Sequence, residues 1–150
     1  MINAQGRTFM QPIENPFTTI DELLEGGADE LPPVRLVDFH CEITSEKTAL
    51  GLHLDGRVSA VCGTHTHVAT ADERILPRGT AYVSDIGMTG PLYSVIGFDP
   101  ETVLPRFLNA LPTRFEVGTG DVLLNAIQLD LEVATGRARA IGRIQKVIEA

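Results

Sequence analysis

Ile127, Leu129, Leu131 and Val133 alternate with Gln128, Asp130 and Glu132. Side chains two residues apart share one face of a strand, so this alternation predicts an antiparallel strand with one apolar and one wet face. The strand should run from Val122 to Val133. Arg114–Gly118 and Arg137–Ile148 read as its neighbours, joined through Thr119-Gly120-Asp121 and Ala134-Thr135-Gly136. The earlier part of the chain has a different rhythm. Two short apolar strands, Val34–His40 and Val58–Cys62, bracket a helical stretch, Ser45–Leu54, with Thr44 or Ser45 as its cap and Leu50, Leu52 and Leu54 partly buried. Upstream, Met1–Met10 reads as the end of a strand entering a proline-marked loop, Pro12–Pro16. A helix follows, capped by Thr18 or Thr19, with Ile20, Leu23 and Leu24 inward and Gly26-Gly27 at its end. Ile75–Asp85 is a hairpin turning at Pro77-Arg78-Gly79, and Gly87–Gly90 is a loop. Pro100–Ala110 is a helix that Pro105 should kink or shorten. Strand–helix–strand units followed by a meander predict an α/β fold of layered mixed β-sheets with flanking helices, in one domain over 1–150.

Composition narrows the function. At 150 residues the chain is the size of one ordinary domain or part of a larger one. No apolar run approaches the about 18 residues of a membrane span, and no signal peptide opens the chain. Twenty acids against twelve bases, a net charge of −8, argue against a nucleic-acid coat, which needs a basic face to neutralise phosphate. The opening stretch through Pro33 holds six acids and the single base Arg7, and reads as a solvated face. Two cysteines, Cys41 and Cys62, are too few for a disulfide scaffold. They read as small buried hydrophobes in a protein of the reducing cytoplasm.

Candidate chemistry collects at strand exits. His40 closes Val34–His40, and His65 and His67 follow Val58–Cys62 with Thr66 between them. In extended backbone, residues i and i+2 project to the same side, which would send both imidazoles into one cleft. If the two strands are parallel neighbours, as the helix between them suggests, His40 enters that cleft as well. Neutral imidazoles suit zinc, iron and manganese-like ions. Asp38, two residues before His40, is either a ligand, an acceptor for an imidazole N–H, or a loop cap. A mononuclear hydrolase with Asp38 or Asp85 as a fourth ligand is a further possibility. His53 reads as structural, while Asp72, Glu73 and Asp85 read as solvated loop residues. Gly63 and the Gly87/Gly90 pair read as points of close backbone approach.

Two long blocks are specific. Residues 38–47 form DFHxExTSEK and residues 63–90 form GTHTHVxTADERILPxGTAYxxDxGMTG. With NAQGRTFM near the start, and SVIGFDPETVLPRFL and RFEVGTG later, the chain resembles the YmdB-type metallophosphoesterases of bacteria along essentially its whole length. These belong to the calcineurin-like superfamily with dinuclear metal centres, and the resemblance implies 2′,3′-cyclic nucleotide phosphodiesterase activity. An alanine is usual where Cys41 stands. The resemblance implies that His40 and His65 bind the second metal and His67 the first. It further implies two divalent ions, iron or manganese with zinc as the alternative, and a small phosphodiester as substrate.

The sequence departs from that family by what it lacks. The family's N-terminal portion supplies an Asp ligand, a Glu bridging both metals, an Asn, and an Asn-His motif whose histidine donates a proton. None of these motifs occurs here, so no catalytic residue is assigned, and the chain reads as the C-terminal part of a metallophosphoesterase domain. Three neutral histidines do not offset the repulsion between two divalent ions, for which a shared carboxylate is needed. The expectation is weak, mononuclear metal binding and little turnover unless another chain completes the site. The alternative is a truncated, non-catalytic metal-binding or interaction module that pairs with a separate N-terminal half. Loss of strands should expose an apolar edge, favouring a homo-oligomer.

Overall fold

Asn15, not a threonine, caps the first helix. Its side chain accepts the Phe17 N–H, and Pro16 takes the first helical position, where no N–H is needed. In the computed structural model, which describes residues 1–27 and 31–150, the elements are β1 (Ile2–Gln5), α1 (Pro16–Gly26), β2 (Leu36–His40), α2 (Thr44–His53), β3 (Ala60–Thr64), β4 (Arg74–Ile75), β5 (Ala81–Val83), β6 (Gly90–Pro91), α3 (Pro100–Asn109), β7 (Val122–Leu131) and β8 (Ala138–Ile148). Asp29 and Glu30 of the acidic opening stretch lie outside the described residues.

Two sheets carry these elements. One has the order β1-β2-β3-β5-β4, parallel except for β4, which pairs antiparallel with β5 as the expected hairpin. The Leu76 N–H donates to Thr80 O, and the Gly79 N–H to Leu76 O, across the Pro77-Arg78-Gly79 turn. The other sheet, β6-β7-β8, is antiparallel.

Strand alternation sorts side chains between the two faces of the parallel sheet. Val37, Phe39 and Val61 join Ile20, Leu24, Leu50 and Leu54 in the core beneath α1 and α2. Ala60 and Ala81 face the other way, onto Ala138, Leu129, Leu131 and Ile141 of β7 and β8. The result is helices, a parallel sheet and an antiparallel sheet in three layers, the layered α/β architecture expected. Asp38, His40, Cys62 and Thr64 share the parity of Ala60, so they lie on the side of the antiparallel sheet.

Several local expectations need correction. Neither Thr44 nor Ser45 caps α2; Ile43 holds the cap position and no side chain bonds there. Leu23 and Leu52 are exposed, because α1 and α2 each bury a narrower stripe than the spacing implied. Pro105 lies within α3 without ending it, since the helix runs on to an αL cap at Ala110. Arg114–Gly118 is not a strand: Val117 makes an isolated bridge with Phe98, and the segment instead receives the Asp99 N–H at Glu116 O. The β7 alternation ends at an irregularity between Asp130 and Leu131, which leaves Val133 exposed.

Candidate metal centre

β2 and β3 are parallel neighbours in register, with His40 opposite Thr64. That pairing brings the carboxyl ends of the two strands together and places His65 beside His40. The rings meet edge to face, with centroids 4.8 Å apart. His40 Nε2 lies 3.1 Å from His65 Nδ1.

The surrounding polar groups favour particular positions for the protons on those rings. The Thr64 hydroxyl donates to Asp38 Oδ1 at 3.1 Å, which leaves its oxygen to accept from His40 Nδ1–H, also at 3.1 Å. The second Asp38 oxygen accepts from Asn3 Nδ2 at 2.8 Å. On the other ring, the Glu42 carboxylate lies 2.5 Å from His65 Nε2 and accepts its proton. With these bonds formed and no proton shared between the rings, each imidazole would turn an unprotonated nitrogen toward the other. Two such lone pairs would repel unless a proton or a metal ion lay between them. Two imidazoles bound side by side to one ion, each at about 2.1 Å, hold their nitrogens about 3.0 Å apart at the right angle of octahedral coordination and about 3.4 Å apart in a tetrahedral site. The pair thus fits two ligands of a single ion. Asp38 reaches His40 through Thr64, where it would serve as an acceptor favouring one tautomer of that ring.

His67 is placed differently. His65 and His67 have φ of 119° and 66°, so the segment is not extended and the i, i+2 rule does not bring their rings together. His67 Nδ1 lies 3.1 Å from Ile96 O, beside a cavity of about 250 Å³ lined by Met88, Leu92, Ile96 and Leu123. Among the described residues, no group of three or more His, Cys, Asp or Glu side chains is disposed to hold a metal. The structure gathers His40 and His65, with Asp38 and Glu42 behind them, and leaves His67 turned to a carbonyl.

The ground beneath the loop is built by residues read earlier as solvated. Asp85 is buried, with its Oδ2 2.9 Å from Lys47 Nζ. Burial alone would raise its pKa, but the Lys47 ammonium and the Thr66 and Gly87 N–H groups outweigh that and hold it below the usual carboxylate value. With its oxygens so engaged, Asp85 is not a fourth metal ligand. Asp72 accepts from the Thr70 and Ser84 hydroxyls and from the Ser84 N–H, and Glu73 pairs with Arg143. Gly63 permits the strands to close, because a Cβ there would stand 1.8 Å from Ser84 O.

The remaining candidates are structural. His53 pairs with Asp21. Cys41 and Cys62 are free thiols, pushed by burial up to about 12 and about 11. Glu42 and Asn3 were not legible as site residues. Glu42 follows the strand in a loop, and Asn3 reaches the site only through the β1–β2 register, where it sits opposite Asp38.

Comparison with known proteins agrees with this architecture. Residues 1–144 match the family described as YmdB-like protein. A Bacillus subtilis (strain 168) protein named 2′,3′-cyclic-nucleotide 2′-phosphodiesterase is 51% identical over 144 residues, covering 96% of this chain and 54% of that protein. A putative phosphatase/phosphodiesterase of Mycoplasma pneumoniae is 43% identical over 122 residues, covering 81% of this chain and 42% of its own length. Among solved structures, a hypothetical protein from Thermus thermophilus superposes with a TM-score of 0.90 at 45% identity, covering 99% of this chain and 56% of that one. A structure described as a novel phosphatase from Mycoplasma pneumoniae gives a TM-score of 0.88 at 37% identity, covering 98% and 52%. The chain spans about half the length of the curated relatives it matches. With a match over nearly its whole length and a layered α/β fold shared with a phosphatase, the chain belongs to the YmdB-like protein family.

Proposed function

We propose that this chain supplies the histidine share of a metal-dependent phosphodiesterase centre acting on small phosphodiesters of the 2′,3′-cyclic nucleotide class. The observation that carries the reading is the facing pair His40 Nε2 and His65 Nδ1, 3.1 Å apart with their outer nitrogens engaged by Thr64 and Glu42. The name of the Bacillus subtilis relative supports the substrate class.

In this reading His40, His65 and His67 hold two divalent ions, iron or manganese, with zinc as the alternative. Such ions supply a water acidic enough to attack phosphorus and a positive charge for the oxygens that gain negative charge. The chain's own residues orient the ligands. Asp38, through Thr64, keeps the His40 proton on Nδ1, and Glu42 keeps the His65 proton on Nε2. The bridging carboxylate and the proton-donating histidine come from the sequence that longer relatives carry beyond the matched region. The 150 residues alone then turn over little substrate. A cytoplasmic site fits two free thiols, and a homo-oligomer fits the place of β1 at the end of its sheet. No helix among the described residues is long and apolar enough to cross a membrane.

The placement of His67 favours a second reading, a non-catalytic metal-binding or interaction module that works only beside a separate N-terminal half. The test joins the upstream region of a relative to this chain and assays 2′,3′-cyclic AMP hydrolysis with Mn²⁺ and with Fe²⁺. Hydrolysis that is lost in His40→Ala and His65→Ala supports the phosphodiesterase reading. No hydrolysis with either metal, in a folded joined protein, overturns it.

A further inference from the structure

The first turn of α2 carries two adjacent charges that reach to different loops. Glu46 accepts the Arg7 N–H at 2.9 Å and the Thr8 N–H at 3.1 Å, fastening the segment after β1. Lys47 points inward, where its side chain is 3% exposed against 2% for Asp85. Burying an ion pair away from water gains little over packing apolar groups in the same space. The pair's remaining contacts show what it does. Asp85 Oδ2 accepts the Thr66 N–H at 2.9 Å, and Oδ1 accepts the Gly87 N–H at 2.8 Å.

Thr66 is the residue between His65 and His67, and both neighbours sit at positive φ. Non-glycine residues keep such conformations only where the surroundings over-determine them. The Asp85 carboxylate provides that constraint, and the Lys47 ammonium keeps it charged and aimed. We propose that Lys47 and Asp85 are positioning residues for the His65–Thr66–His67 turn, setting the angles at which the two imidazoles leave β3 and hence the affinity of the centre for a divalent ion. The part concerning affinity rests on the metal reading above; the part concerning the turn does not.

The test uses the 150-residue chain and its Lys47→Met, Lys47→Arg and Asp85→Asn variants. Amide hydrogen exchange is followed by NMR at Thr66 and Gly87, with Val61 and Tyr82 in the sheet as references. Co²⁺ is titrated by visible absorption at a temperature where circular dichroism shows every variant folded. In Lys47→Met, Thr66 and Gly87 should exchange at least about tenfold faster relative to Val61 and Tyr82, and Co²⁺ affinity should fall about 10–100-fold, the usual effect of losing a group that orients metal ligands. Lys47→Arg, which keeps the charge, should recover part of both. Equal acceleration at all four amides would show a role in global stability alone and overturn the proposal, as would unchanged exchange at Thr66. If the unsubstituted chain binds no Co²⁺, the part of the proposal concerning affinity fails while the exchange pattern still decides the positioning. Should Lys47→Met fail to fold, the doubly neutral Lys47→Met/Asp85→Asn protein carries the same measurement.

Discussion

Gly63→Ala tests the packing that brings the strand ends together. An added Cβ at this position would stand 1.8 Å from Ser84 O, 2.6 Å from Ser84 C and 3.1 Å from Lys47 Cδ. The two backbones must part by more than an ångström to reach the 3.0 Å that real Cβ contacts essentially never undercut. The Lys47 methylene can swing away, but Ser84 cannot. Its N–H and hydroxyl are both held by Asp72, and the Ile86 N–H is held by Gly63 O. Overpacking a core with one extra carbon costs about 1–3 kcal/mol, and the obstacle here is hydrogen-bonded backbone, which puts the expected loss at about 3 kcal/mol. For a chain of this size each kcal/mol lowers Tm by about 2–4 °C, so the variant should melt about 6–12 °C lower. Urea unfolding followed by circular dichroism measures the loss directly, as a lower midpoint with an unchanged m-value. A loss below about 1 kcal/mol would refute the close approach of β3 to the segment after β5.

Three further outcomes follow from the same geometry. The Asp85 pKa is lowered in the folded chain, so its ionisation contributes stability that is complete above the unfolded value near 3.8 and is lost as pH falls through the folded value. Lys47→Met removes the main group that lowers it and should move the acid-unfolding midpoint to higher pH; a midpoint that stays in place would contradict the pairing. Cys41, raised from 9.0 to about 12, should resist iodoacetamide at pH 8 in the folded chain and react fully in urea, as read by mass spectrometry. Rapid labelling of the folded protein would place the thiol at the surface. Thr64→Val removes the hydroxyl between His40 and Asp38, so ¹⁵N shifts should show His40 Nδ1 losing its preference for the proton. Unchanged shifts would mean that Asp38 does not set the tautomer.

Much of the fold was legible because its signals are local. Pro32 and Pro33 before an apolar run, the Pro77-Arg78-Gly79 turn and the Gly26-Gly27 stop each act within a few residues, and the elements fall where these signals lie. The misread positions are those decided by a neighbour. Arg114–Gly118 has the composition of a strand but only Val117 bridges to a partner, and Val133 follows the alternation yet lies past the irregularity that ends it.

The sequence by itself determined most of the order of elements, the layered α/β class and the presence of histidines at two strand exits, since turn chemistry and side-chain period act along the chain. Tertiary structure alone decided which groups meet there. The parallel register of β2 on β3 sets His40 against His65. Positive φ at His65 and His67 turns the second imidazole toward Ile96. A buried ammonium makes Asp85 the foundation of the loop instead of a solvated acid. Such outcomes depend on what burial places beside each charge and on which backbone angles a closed sheet enforces. Both are properties of distances between residues far apart in the chain, which spacing along the chain does not encode.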